Sequence, residues 1–583
     1  MSEFFSRTAR THLWVLLFIV QGLTVSAASA QELSPALNIS GAADELERNI
    51  RAHISLAGLT CDTAPARLNR LLPGIRQNLL RASRALGYYQ LTSEINLERV
   101  DSCWNLNIEV VPGPPVTIAN IDIKVDSSPE VFANLGDSLP VQVGDRLNHA
   151  EYERLKSDLS SMAVEQGFFA ARFENSQLLL DLQQNTADIA IDFQPGERFH
   201  FGEINIEPLA ELSDDFIKRY IEFSEDSFYS ADALIELRNA LNNSQYFSEV
   251  TVTPELSNAA DLHVPVQVAL TMRPRRVYAV GAGLTTDIGP RIRMDYDDRY
   301  LNKRGHKFDV KSGASPLQQN LDMRYLIPMS QPATESLQIS SGFLREDNDT
   351  YKNLTTKLGV TYGFINRFNW HQNYFTNYQH DDYSINDEIE IADIFLGGIN
   401  VNRTRADDAL YPTRGWRLFG QISGASQDLL STTTFVQLNV SGKLIQSIGK
   451  ARFLFKFDVG TSIVDDLSEL PVSLKYFSGG DQSVRGYRYQ SLGPLNEDGN
   501  IEGGKHVISA GVEVDFPVAA NWKMALFTDA GNAFNAWNDY KLNQSVGVGI
   551  RWLSPIGPIR FDLASALDND NKLRLHVTMG PDL

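Results

Sequence analysis

The residues best placed to do chemistry are Val484-Arg485-Gly486-Tyr487, an arginine among small and turn-forming neighbours, preceded by Tyr476-Phe477-Ser478-Gly479-Gly480-Asp481-Gln482-Ser483. They fall in a polar interruption of about 40 residues between alternating strands, too long for a structureless connection unless it has a task. The stretch reads as a loop that carries one charge to a specific acceptor. A guanidinium stays charged and binds a carboxylate through paired N–H donors, and a charge removed from water is costly without such a partner. Asp529, on a strand with Phe527 and Gly531, has the parity to supply that carboxylate. The chemistry expected is electrostatic anchoring.

Catalytic patterns are weak by comparison. Gly136-Asp137-Ser138-Leu139 spells a lipase nucleophile block, but no Asp-x-x-His triplet follows it near residue 583. There is no Gly-x-Ser-x-Gly elbow, His-Glu-x-x-His helix or phosphate-binding glycine loop. Asp568-Asn569-Asp570-Asn571 starts like a calcium loop, yet Lys572 stands where the third ligand belongs. An enzyme, a cofactor and a metal site are therefore not expected.

The elements that position Arg485 begin with a leader. Arg7, Arg10 and His12 precede an apolar run from Leu13 to Val20 and a small-x-small site at Ala28-Ser29-Ala30, which predicts a signal peptide over residues 1–30 and export. No later run of 18 apolar residues exists, which leaves an exported soluble protein or a membrane barrel. A mean hydropathy of -0.22 fits both. Pattern decides between them. Val546, Val548, Ile550 and Trp552 alternate with Ser545, Gly547, Gly549 and Arg551, and Leu573, Leu575, Val577 and Met579 with Arg574, His576 and Thr578. Short turns alternate with long loops, and about sixteen such segments follow residue 273, an even number suited to an outer-membrane barrel over residues 273–583.

Ahead of the barrel a unit recurs about every 80 residues. Leu86-Gly87-Tyr88-Tyr89, Gln166-Gly167-Phe168-Phe169 and Ser244-Gln245-Tyr246-Phe247 each follow a helical pattern and precede a strand. Asn148 with Glu151, and Ser230, supply helix starts. Three modules result, 31–113, 114–196 and 197–272, each read as two helices on a small sheet with its aromatic pair in the core. Cys61 and Cys103 both lie in the first and are expected to form a disulfide in an oxidising compartment, stabilising the module by about 4 kcal/mol on the chain-entropy estimate. A net charge of -20 and a pI near 5.0 argue against nucleic acid as a partner, which would select a basic face.

Together these features resemble the BamA/TamA superfamily of outer-membrane assembly and translocation barrels, whose members carry a V/I-R-G-Y/F tetrapeptide on a lid loop folded into the pore. The modules look like POTRA domains, and the α+β modules with an all-β sixteen-stranded barrel match the family's architecture. Three modules, the Thr286-Asp287-Ile288-Gly289-Pro290-Arg291 hairpin and the non-aromatic Gly580-Pro581-Asp582-Leu583 ending are most similar to TamA-type members. The resemblance implies a lid at about 465–504 and help in inserting or secreting outer-membrane proteins, autotransporters among them. It also implies a TamB-like inner-membrane-anchored partner, unfolded client proteins and contact with outer-membrane lipid. A porin-like or two-partner-secretion-type transporter is the alternative. A lateral seam is expected between the first and last strands, where Gly281, Gly283, Leu573, Leu575, Val577 and Gly580 lie and glycine weakens pairing.

Overall fold

The computed structural model describes residues 35–126, 130–132, 139–385, 388–496, 499–538, 540–555, 557–568 and 573–583. The expected leader, residues 136–138 of the Gly-Asp-Ser-Leu stretch and residues 569–572 of the calcium-like turn lie outside them. Two compact units divide between Arg198 and Phe199.

The first unit holds two modules of one topology. In the first, Ala36–Ser40 runs parallel to Cys103–Val111, which pairs antiparallel with Thr92–Val100. Helices Asp44–His53 and Pro65–Ala85 bury Leu46, Ile50 and Leu79 against Leu106 and Ile108, the inward positions of the central strand. Cys61 and Cys103 form a disulfide. The second module repeats the sheet with Thr117–Val125, Thr186–Gln194 and Arg172–Asp181. Helix His149–Glu165 begins at Asn148, whose Oδ1 accepts from the Ala150 amide at 3.0 Å; Glu151 faces Arg154 instead of turning back on the cap. A second helix was expected here, but the described residues supply only a single 3-10 turn, Glu130–Phe132, in its place.

The recurrent aromatics divide between two uses. Phe168, Tyr246 and Phe247 are buried core, because the turn before each strand points the ring back under the helix. In the first module Tyr89 instead reaches His149 Nε2 of the second at 2.6 Å, beside an Arg146 to Glu45 ion pair at 2.7 Å that also joins the two.

The second unit opens with a third module. His200–Ile206 and Phe247–Pro254 flank His263–Met272, under helices Asp214–Lys218 and Ala231–Asn243, with Ser230 capping the latter. It grips the barrel directly. The Tyr246 hydroxyl donates to the Gly305 carbonyl, the Ser213 amide to that of Lys303 at 3.0 Å, and Arg219 Nη1 to that of Met329 at 2.7 Å. Gly305 has φ +73°, and a Cβ there would sit 2.3 Å from the Phe216 ring, so only glycine fits.

Sixteen antiparallel strands follow in sequence order from Arg276–Thr285 to Leu573–Met579. They range from 19 residues, Glu388–Ala406, to 7 in the last. Alternation sorts their side chains as the sequence implies. Val546, Val548, Ile550 and Trp552 are exposed outward, while Ser545 and Arg551 of the same strand are buried inward. Among the described residues no helix is long and apolar enough to cross a membrane.

Candidate functional site

Between strands Ala451–Ile463 and His506–Ala519 the chain folds back into the barrel interior. Inside, Arg485 is 6% exposed and Asp529 1%. Arg485 Nε donates to Asp529 Oδ2 at 2.7 Å and Nη2 to Oδ1 at 3.1 Å, a two-pronged pairing, and the Arg485 backbone amide adds 3.2 Å to Oδ2. The third nitrogen, Nη1, reaches Glu513 Oε2 at 2.7 Å and Asp562 Oδ2 at 3.0 Å. The guanidinium carbon lies 3.5 Å from the centre of the Phe527 ring, which covers one face of the cation.

Arg551 and Lys456 complete the cluster. Arg551 Nε donates to Glu513 Oε1 at 3.0 Å and Nη1 to Asp562 Oδ1; Lys456 Nζ stands 3.6 Å from Asp529 Oδ1 and donates to the Ser483 carbonyl at 2.9 Å. Three carboxylates thus face three cations from six segments of chain. Burial without this balance would be prohibitive, since each ion gives up its hydration. Register brings the partners together: Gly511 pairs with Asp529 and Gly549 with Asp562, and each glycine leaves the space its carboxylate occupies.

The rest of the tetrapeptide seats the loop. Val484 and Tyr487 are buried with Leu492 and Ala566, and the Tyr487 hydroxyl donates to the Gln544 carbonyl at 3.2 Å. Gly486 has φ +95°, and a Cβ would meet the Ala566 amide nitrogen at 3.1 Å. Its own amide donates to His576 Nε2 at 2.8 Å.

His576 ties the loop to the seam. Its Nδ1 bonds Asp481, which also accepts from Thr286 Oγ1 at 3.0 Å, while the Asp481 amide donates to Asp287 Oδ2 at 2.8 Å. Asp287, Asp481 and His576 place ligand-type atoms within 4.8 Å of one another. Because Nε2 already accepts from Gly486, the ring proton belongs on Nδ1, facing Asp481, and a metal there would have to displace it. The arrangement is a hydrogen-bonded joint among first hairpin, loop and last strand. Burial and the neighbouring Asp481 push the Asp287 carboxyl up to about 6.

Among the described residues no ladder joins Arg276–Thr285 to Leu573–Met579, although the two lie side by side. Gly281 and Gly283 pair instead with Arg293 and Arg291 of the second strand. Leu573 and Leu575 face outward and exposed, and Val577 is half-buried, its amide donating to Thr286 Oγ1 at 3.2 Å. Gly580, at φ +133°, turns the chain away after the last strand. Sequence reasoning singled out Arg485 and Asp529 but missed Glu513, Asp562, Arg551, Lys456, Asp481 and His576. Inward parity was available for the strand residues; which of the many inward charges converge was not.

Comparison with known proteins agrees with this architecture. The Omp85 superfamily domain matches residues 301–582, the POTRA domain TamA domain 1 matches 36–112, and the surface antigen variable number repeat, a POTRA model, matches 199–271. The outer membrane protein assembly factor BamA of Neisseria meningitidis is 20% identical, over 82% of this chain and 68% of that protein. BamA of Nitratidesulfovibrio vulgaris is 21% identical, over 70% of this chain and 54% of that protein. The chain thus spans from about half to two thirds of these relatives' length. The crystal structure of BamA from Haemophilus ducreyi lacking POTRA domains 1–3 superposes with a TM-score of 0.65 at 18% identity, covering 80% of this chain and 99% of that one, which establishes the fold. Fold and matches place the barrel in the outer membrane and the amino-terminal modules in the periplasm. Residues 301–582, just under half of the chain, are thus similar to the Omp85 superfamily domain, and POTRA models match two segments ahead of it.

Proposed function

We propose that this protein is the outer-membrane half of a translocation and assembly module, helping to insert or secrete outer-membrane proteins such as autotransporters. The observation that carries the reading is the unpaired seam beside a loop locked in the lumen by Arg485. An unladdered strand edge offers free N–H and C=O groups to an incoming strand, so assembly proceeds by β-augmentation with no chemical step and no catalytic residue. The match of the first module to a TamA-type model supports the TamA-type assignment over BamA itself.

The partner is a TamB-like protein anchored in the inner membrane, docking on the modules, and the first is the proposed site by reach. Deleting residues 32–113 should leave the barrel heat-modifiable while abolishing co-purification with that partner; retained co-purification would move the site to a later module. Client identity is tested by depleting this protein and quantifying the outer-membrane proteome. Selective loss of autotransporters and other barrels supports the assembly role, and an unchanged proteome refutes it.

A further inference from the structure

The loop that carries Arg485 is held a second time, across the lumen, by a carboxylate of different character. Asp381, in strand His371–Ile385, is 0% exposed, and among the described residues no basic side chain pairs with it. Its oxygens are served by neutral donors. Thr355, its cross-strand neighbour, donates to Oδ1; Gln379 Nε2 donates to Oδ2 at 2.6 Å, and Ser473 Oγ of the loop to the same oxygen at 2.7 Å. Ser473 Oγ also accepts from Gln379 Nε2 at 2.8 Å, so its one proton is committed to Asp381. A buried anion without a cation depends on such donors, and a hydrogen bond to a charged acceptor is roughly twice as strong as a neutral one. Around this contact Val472 packs with Tyr351, Tyr383 and Ala392, and Gln437 Nε2 donates to the Leu474 carbonyl at 2.7 Å.

Asp381 and Asp529 stand on the seventh and thirteenth of the sixteen barrel strands, so the loop bridges the lumen from one wall to another. The two anchorages share no residue and differ in kind, with ion pairs around Arg485 and neutral donors on a lone carboxylate at Ser473. Leu474, next to Ser473, lines a lumenal cavity of about 870 Å³ together with wall amides such as Asn377, Asn400 and Gln421. We infer that Asp381 is a positioning residue. Through Ser473 it seats the first arm of the loop, residues 467–474, independently of Arg485, and keeps Leu474 in the lining of that cavity.

The test is thiol labelling of purified full-length protein in lipid nanodiscs, where the joined Cys61 and Cys103 leave an introduced cysteine as the only free thiol. Val472→Cys, at a position 2% exposed, should react slowly with a maleimide. Adding Ser473→Ala should raise that rate roughly tenfold or more, the weight of one hydrogen bond to a charged acceptor, whereas Ser473→Thr keeps the hydroxyl and should leave it unchanged. Asp381→Asn weakens the same contact from the strand side and decides the matter if Ser473→Ala costs the barrel its heat-modifiability. Val484→Cys, at a position 0% exposed, reports the other arm. Ser473→Ala should not alter its rate, and Arg485→Lys should raise it without changing that of Val472→Cys. An unchanged rate at residue 472 in the folded variants overturns the proposal, as does an equal rise at residues 472 and 484 on Ser473→Ala. Because the readout is thiol reactivity and not client assembly, it stands or falls separately from the assembly role.

Discussion

Arg485 and Arg551 hold the same two carboxylates from opposite sides. Arg485 takes Glu513 Oε2 and Asp562 Oδ2, while Arg551 takes the other oxygen of each. The loop arginine is therefore a structural component of the barrel wall, and its loss leaves buried negative charge that two cations must serve. Arg485→Ala should destabilise the folded barrel by about 3–5 kcal/mol, the cost of removing one partner from a buried ionic group. Arg485→Lys should recover only part of this, because an ammonium cannot reproduce the two-pronged bond to Asp529. Urea titration of the gel-mobility shift measures both; full recovery with lysine would refute the geometric argument.

Asp529→Ala should cost less than Arg485→Ala, since Arg485 keeps Glu513 and Asp562. The double variant should fall short of the sum of the single losses by about 0.5–3 kcal/mol, the range for directly interacting residues. Strictly additive losses would show that the two side chains do not act as a pair.

Across the seam the Val577 amide donates to Thr286 Oγ1, and counting antiparallel from that contact brings Met579 near Leu284. Oxidised Leu284→Cys with Met579→Cys should leave the barrel heat-modifiable yet abolish client assembly, and reduction should restore it. Undiminished assembly by the oxidised protein would exclude lateral opening.

The Asp287 carboxyl, raised to about 6 by burial and by Asp481, gives the joint a pH dependence. Its value in the folded protein lies above that of the unfolded chain. The neutral acid is thus favoured by folding, and this contribution, complete near pH 4, is lost as pH rises through about 6. Asp287→Asn should therefore raise the melting temperature at pH 7.5 more than at pH 5. An equal effect at both values would show that Asp287 does not titrate in that window.

Period-two alternation made the barrel legible, since it marks each strand whatever its neighbours. The recurrent turns that end in an aromatic pair likewise marked the three modules. Asp529 could be named because it shares a face with Phe527 and Gly531 on one strand. Glu513, Asp562 and Arg551 have the same parity, but their meeting depends on the stagger between strands, a property of the closed sheet that no single segment records. His576 and Asp481, 95 residues apart, meet only because the loop re-enters the lumen. In the second module the sequence's helical periodicity is confined to the segment that follows Asn148, and among the described residues ahead of it only the turn Glu130–Phe132 stands where the other expected helix would lie.

The grip of the third module on the turn at residues 301–306 has a mechanical side. Tyr246, Phe216 and Ser213 hold Gly305 and Lys303 in the connection between the second and third strands, one strand removed from the seam. A load applied to that module is delivered to the barrel through backbone carbonyls and a glycine with no room to yield. The module is a handle fixed to the wall, and torque on it is borne by the strands next to the barrel's weakest join.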